Sequence, residues 1–250
     1  MVKLAFAPCL ALAFALEVAV TDGRLAHADA AADQALADVD AHVNAAKSLY
    51  LEYDVLDQEP GKAERHLAFK VWLKGDARLT EITAPPDMKG TKVLVLSPTQ
   101  MYVYLPSFGK IRRIASSVTE QGFLGLTYSQ DDFAPRYAPL YTATFAAGDD
   151  EHDKLVLQPR PGAATPYGKL ELTYLKDKKV PSEIRYYGGN GEHLKTEVRS
   201  GYTCEADQCT PSELKMTESK GGHFSAMTRK ALKVNPGLSD DLFSKRSLGE

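Results

Sequence analysis

The sequence lacks the marks of several large protein classes. Its 30 lysines and arginines stand against 33 aspartates and glutamates, a formal net charge of -3. That balance offers no basic stripe and no acidic tail, so nucleic acid is not an expected partner. The six histidines, His27, His42, His66, His152, His193 and His223, are scattered without metal-ligand spacing and read as surface residues. No Gly-x-Ser-x-Gly elbow occurs. Ser107-Phe108-Gly109-Lys110 matches Ser-x-x-Lys, but it follows Pro106 in a turn, whereas that chemistry needs the serine to open a buried helix. The carboxylate pairs Asp131/Asp132 and Asp149/Asp150 sit in turn-like contexts and read as solvated. Gly188–Gly191 lacks the strand-to-helix setting of a phosphate cradle and reads as a hairpin turn. These absences predict no metal, no cofactor and no enzymatic activity.

Cysteine is scarce, and long apolar runs are confined to one place. The run from Leu4 to Leu16 follows a single Lys3, is interrupted by Glu17 and is too short to cross a bilayer. Ala26-His27-Ala28 then supplies a small-x-small cleavage pattern. Residues 1–28 are therefore expected to be a cleaved secretory signal, with Ala30 an alternative end. Residues 29–250 are expected to form one soluble, unlipidated domain, because Cys9 lies inside the apolar run and leaves with it. Of three cysteines this leaves Cys204 and Cys209, with four residues between them that could close a tight loop at a hairpin tip. A disulfide is expected there in preference to a free or metal-bound pair.

From Ala30 to Tyr50, Leu36, Val39, Val43, Ala46 and Tyr50 recur at three- and four-residue intervals, which predicts an amphipathic helix. Beyond it the apolar period changes to two, and turn signals such as Asn190-Gly191 separate about ten or eleven strands. A large antiparallel meander follows, curling through its own twist and holding the helix in its hollow. Two neighbouring segments, Lys92–Leu96 and Met101–Leu105, are apolar on both faces, and their second face is expected to be covered from inside the curl. The apolar, glycine-flanked Gly122–Leu126 stretch, within 115–140, is expected to move as a lid together with the early helix, with the sheet as the rigid part.

Taking the more aliphatic face of each strand as the inner wall assigns Leu67, Phe69, Val71, Leu94, Leu96, Met101, Val103 and Leu105 to one side. Leu170 and Leu172 face them from the far side, and Phe123 and Leu124 come from the lid. A register error would exchange the faces. Of Arg112 and Arg113, at most one looks inward, to fix a lid carbonyl or a lipid headgroup; otherwise both are solvated near a strand end. Trp72, Tyr102 and Tyr104 read as outer-face packing.

Five motifs in order carry a family resemblance: Pro85-Pro86-Asp87-Met88-Lys89-Gly90-Thr91, Met101–Pro106, Lys110–Ile114, Phe123–Gly125 with Tyr128–Phe133, and Asn235–Phe243. They resemble the outer-membrane lipoprotein-sorting proteins of the LolA/LolB-like superfamily, from about residue 35 onward. The resemblance implies a mainly β fold, an incomplete antiparallel barrel of about eleven strands with helices capping its concave face over a hydrophobic cavity. It also implies a periplasmic carrier of lipoprotein acyl chains or other lipids, and a monomer is expected. An inner-membrane exporter or release complex would be the donor, with an outer-membrane acceptor. A lipid-sensing regulatory module and an envelope-lipid hydrolase are the competing expectations.

Overall fold

The computed structural model describes residues 22–114, 122–133 and 136–249, with only the backbone described for 22–29. The expected leader therefore falls mostly outside the described residues, as do parts of the 115–140 segment. Helix α1 spans Asp22–Val43 and buries Ala32, Leu36 and Val39, one face of a helix by spacing. It ends seven residues before the expected Tyr50. From Ser48 the alternation of Leu49, Leu51 and Val55 takes over as strand, and Tyr50 fits both periods. The last carbonyl, of Val43, is satisfied by Gln208 Nε2 at 2.9 Å, while Gln208 Oε1 accepts from Ala46 N at 2.9 Å.

Two meanders make one sheet. The first comprises β1 (Ser48–Gln58), β2 (Arg65–Lys74), β3 (Ala77–Ala84), β4 (Lys92–Ser97), β5 (Gln100–Leu105) and β6 (Lys110–Ile114). The second comprises β7 (Tyr141–Ala146), β8 (His152–Pro159), β9 (Lys169–Leu175), β10 (Val180–Tyr187), β11 (His193–Ser200), β14 (Glu213–Glu218) and β15 (Phe224–Val234). Strand β1 pairs with β15, so the 13-stranded order runs from β6 through β1 and β15 to β7. The sheet is antiparallel and not closed, an incomplete barrel as expected, with more strands than the eleven anticipated. One added strand is β6, whose Lys-Ile-Arg-Arg-Ile is exposed at an edge and shows no buried alternation. Strands β12 (Thr203–Glu205) and β13 (Gln208–Thr210) form a separate hairpin, and the expected Cys204–Cys209 disulfide closes it.

This topology dictates where a cover lies. The free edges are β6 and β7, and the described residues 122–133 pack Phe123, Leu126 and Tyr128 onto the inner face between them. The inner face is one continuous core, in which Phe69 and Val71 on β2 share a cluster with Leu170 and Leu172 on β9 and with Leu36 on α1. At the β7 edge, Asp33 of α1 accepts from Ala143 N at 2.7 Å, satisfying an edge amide.

The doubly apolar strands β4 and β5 are covered from both sides, not only from within. Leu94 and Leu96 lie on the outer face with Leu79, Trp72, Tyr102 and Tyr104, beneath Leu238, Leu242, Phe243 and Leu248 of the C-terminal segment. Lys74 fixes that segment through the Leu238 carbonyl at 2.8 Å and Asp240 at 2.6 Å. Assigning Leu94 and Leu96 to the inner wall is thus incorrect, and the cause is a bulge. Ser97 pairs with Gln100, and a regular ladder from there would place Leu96 opposite Met101. The register shifts between Val95 and Ser97, however, so Val95 pairs with Met101 and Val93 with Val103. One extra residue moves Leu94 and Leu96 to the other face.

Candidate functional site

The inner wall keeps ten of its twelve expected residues on one face or in the cover. Leu67, Phe69 and Val71 of β2, and Leu170 and Leu172 of β9, are buried in the main core. Met101 is 1% exposed and lies opposite Val95, Val103 joins the same core, and Leu105 continues their parity, half-buried at the strand end. Phe123 and Leu124 come from the cover. Val93 and Val95 take the places assigned to Leu94 and Leu96.

The cover is built from 122–133. Phe123–Gly125 forms a 3-10 turn, and Phe123 N donates to Tyr128 O at 2.7 Å, closing a compact loop. Gly122 is required there, since a Cβ would stand 2.2 Å from the Leu126 carbonyl oxygen. Asp131–Phe133 makes a second 3-10 turn, which sets Phe133 edge-on to Phe123 at 5.7 Å and stacked on Tyr128 at 5.4 Å. This apolar underside seats the cover on the wall.

Polar groups then latch it. Asp132 has a fully buried side chain and accepts from Ser129 N at 2.6 Å, Ser129 Oγ at 2.9 Å, Tyr167 Oη at 2.6 Å and Lys195 Nζ at 2.5 Å. It is therefore an anchor and not the solvated turn carboxylate expected. Thr127 N donates to Ser225 Oγ at 2.9 Å, and Ser225 Oγ donates to Asp57 Oδ1 at 2.6 Å. Asp57, itself 2% exposed, also meets His223 Nε2 at 2.9 Å and Arg65 Nη1 at 3.2 Å. His223 is thus paired inside this network and not a free surface residue. Arg65 of β2 donates to the Leu124 carbonyl at 2.7 Å, and buried Arg78 binds Gln130 and lies over the Phe133 ring at 5.1 Å.

The role considered for Arg112 and Arg113, holding a lid carbonyl, therefore belongs to Arg65. Arg113 pairs with Tyr102, faces outward and donates to Thr99 O at 2.9 Å. Arg112 pairs with Val103 and takes inward parity, but it is exposed at the sheet edge. Ser107 lies in an exposed 3-10 turn, not at the start of a buried helix.

Helix α1 is fastened in the same style. Asp40 accepts from Tyr137 N at 3.1 Å and Ala138 N at 2.7 Å, and burial raises its pKa despite these donors. Lys179 meets Asp38 at 2.6 Å, and its hydrogen bond lowers the Asp38 pKa. The polar side of the helix is thus its attachment to the chain's second half.

Strand β11 holds residues that pattern reading missed. Lys195, Glu197 and Arg199 share one parity and all face inward, while Val198 between them is 46% exposed. Arg199 Nη2 donates to Glu197 Oε2 at 2.7 Å, and Tyr186 Oη donates to the same oxygen at 3.0 Å. Burial opposes the Arg199 charge, but Glu197 beside it and the nearby tyrosines carry its pKa well above the ordinary value. Burial also pushes the Tyr53 and Tyr202 hydroxyls up to about 12. The one available signal was the unusual Lys-x-Glu-x-Arg spacing, which resembles a solvent face.

Under the cover's rim lies a cleft of about 660 Å³, bordered by Leu126, Thr127, Tyr167, Leu194, Lys195 and His223 among others. Among the described residues, no group of three or more metal-ligating side chains occurs and no helix is long and apolar enough to cross a membrane.

An open antiparallel sheet with an apolar inner wall, one helix in its hollow and a latched cover defines the LolA-like fold, as the motif order anticipated. A Desulfovibrio piger protein of the DUF1329 family aligns over 88% of this chain and 99% of its own, at 22% identity and a TM-score of 0.80. A Vibrio parahaemolyticus domain named for outer membrane lipoprotein sorting aligns over 89% and 100%, at 19% identity and a TM-score of 0.78. A LolA superfamily protein from Nitrosomonas europaea aligns over 86% and 98%, at 21% identity and a TM-score of 0.71. The chain matches the model of a family described as "Uncharacterized protein" over residues 74–250, and it belongs to that family. No curated protein matches it.

Proposed function

We propose that this protein is a monomeric periplasmic carrier, freed from its leader, that shelters acyl chains of lipoproteins or other lipids on their way to the outer membrane. It takes them from an inner-membrane exporter or release complex and passes them to an outer-membrane acceptor. One observation carries the reading: among the described residues the apolar wall is sealed by one helix and a short glycine-flanked cover, seated by apolar side chains and latched by polar ones, where a closed barrel would seal it with strands. Leu172 and Leu155, fully buried in this wall, face a core that includes cover residues.

The energetics suit transport. Burying a CH₂ is worth about 0.8 kcal/mol, so a chain of about fourteen carbons gains on the order of 10 kcal/mol on leaving water. Uncovering the wall without cargo exposes Phe123, Leu126 and Tyr128 together with the leucines beneath them. The seated cover thus competes with cargo and keeps affinity moderate enough for release. No step in this reading requires bond chemistry.

Mass spectrometry of an organic extract of the purified, envelope-expressed protein tests the proposal. Intact diacyl lipid or lipopeptide at near-stoichiometric ratio is the expected result, together with protein-dependent transfer between donor and acceptor vesicles. An empty extract with no vesicle transfer would overturn it.

A further inference from the structure

Among the described residues four large apolar side chains stand exposed: Phe108, Ile111, Phe145 and Val198. Two of them, Phe108 at 66% and Ile111 at 41%, share the β5–β6 hairpin, where every residue from 106 to 113 is exposed. From Pro85 to Ile114 five cations, Lys89, Lys92, Lys110, Arg112 and Arg113, stand against one acid, Asp87, in a chain whose net charge is -3. The fold gathers most of them. Lys89 is exposed on the β3–β4 loop, and a Cβ on its neighbour Gly90 would stand 3.3 Å from the ring of Pro106, so this loop and the β5–β6 turn make one corner of the sheet. Lys245 of the C-terminal segment lies over the Tyr102 ring at 4.2 Å, and Tyr102 pairs with Arg113. Among the described residues Lys89, Lys110 and Arg112 have no carboxylate partner, and Arg113 donates to the Thr99 carbonyl at 2.9 Å.

Cations on an exposed edge strand guard it against pairing with another chain, which accounts for Lys110 and Arg112. It does not account for two apolar side chains left in water among them. A convex turn with an aromatic tip and cations on either side suits the interface of an anionic bilayer, where the ring enters the headgroup boundary and the cations meet phosphates. An acidic protein would answer the charges and leave the tip unused. We propose that this corner docks the protein on an anionic lipid surface, with Phe108 and Ile111 entering the interface and Lys89, Lys110, Arg112 and Arg113 facing the headgroups. The net negative charge of the chain as a whole is repelled by such a surface, so contact runs through this corner. Met88, on the same loop as Lys89, packs against the main core, so docking here brings the end of the apolar wall to the bilayer. The inference concerns where the chain meets a membrane and not what it carries.

Sedimentation of the purified, envelope-expressed protein with vesicles tests it, using phosphatidylcholine alone and phosphatidylcholine with about one third phosphatidylglycerol. Wild type should sediment with the anionic vesicles at low salt, be released at high salt and ignore phosphatidylcholine. Lys110→Gln with Arg112→Gln should weaken binding about 25-fold, at about fivefold per cation held near the surface. Phe108→Ser should weaken it about fivefold through lost apolar contact. Lys178→Gln with Lys220→Gln removes the same charge at side chains 47% and 86% exposed outside the corner, and its binding should stay within about twofold of wild type. Phe108→Trp should be quenched by lipids brominated along the chain more than wild type is, whose Trp72 lies under the C-terminal segment. All these side chains are exposed, so thermal midpoints should hold. Failure of wild type to sediment with anionic vesicles overturns the inference, and so does a loss in the Lys178 and Lys220 double variant equal to that in the corner double variant. An empty organic extract overturns the carrier reading and leaves vesicle docking standing.

Discussion

Replacing Asp132 by asparagine probes the cover directly. The carboxylate is fully buried, and the ammonium of Lys195 that it meets at 2.5 Å is only 12% exposed. Asparagine preserves the shape and one acceptor oxygen, but it leaves Lys195 charged and unpaired. Breaking a buried pair from one side costs 3–5 kcal/mol in general, and the partial exposure of Lys195 argues for the lower end, about 3 kcal/mol. The contact joins the cover to β11 and β9–β10 packing through Tyr167, so the loss should fall on the closed state of the cover before it falls on the sheet. A loss of about 3 kcal/mol corresponds to a rise on the order of 100-fold in the open population. Hydrogen exchange read by mass spectrometry under native conditions measures it. Amides of 123–133 should exchange faster by about that factor, while those of β9 and β10 keep their protection. The double change Asp132→Asn with Lys195→Gln should restore most of it, because no unpaired charge remains. Acceleration spread evenly over the whole sheet would refute the reasoning, since the cover would then belong to the global folding unit and could not move alone. So would acceleration of less than about threefold in the cover, which would mean that the pair contributes little.

Three further outcomes are expected. Burial alone would raise the Glu171 pKa, but hydrogen bonds from Lys169 and Lys154 bring it down from 4.5 to about 2. Its folded pKa is thus depressed, so its stabilisation is present above pH 4.5 and lost as pH falls toward 2; after discounting for solvent access, Glu171→Gln should remove about 1–2 kcal/mol of that pH dependence in urea unfolding. Changing Cys204 and Cys209 to serine together should cost about 2 kcal/mol by loop-closure entropy, read as a lowered urea midpoint, with fraying concentrated where Gln208 holds the end of α1. Phe243→Ala should cost about 3 kcal/mol. It should also shift the emission of Trp72, the single tryptophan, to the red while leaving exchange in the cover unchanged, because the C-terminal segment packs on the opposite face.

Much of the fold was legible because it rests on period and punctuation. The alternation of Leu67, Phe69, Val71 and Leu73 marks β2, and Asn190-Gly191 marks the turn between β10 and β11. The inner wall was less legible, and the reasons are specific. Strand β4 is apolar on both faces, so its sequence carries no parity signal, and its orientation is set by the bulge at Leu96 and by a C-terminal segment more than 140 residues away. Helix α1 was over-extended because Tyr50 satisfies the helical period and the strand equally. Neither error is visible in the local window that produced it.

The polar residues of the site were concealed by a stronger version of the same ambiguity. Pattern reading takes charge as a sign of solvent, and on β11 that assigns Lys195, Glu197 and Arg199 to the outside and Val198 to the core, the reverse of the observed arrangement. Each inward charge is matched by another: Arg199 by Glu197 two residues before it, and Lys195 by Asp132, 63 residues earlier. A buried pair is seldom worth more than the apolar residues that could replace it, so stability alone does not account for two of them on one strand. An apolar wall sealed only by an apolar cover would close by buried area alone. The Lys195–Asp132 pair placed across that joint makes its closure depend on a specific partner as well. The residues hardest to read from the sequence are therefore those that join the cover to the sheet.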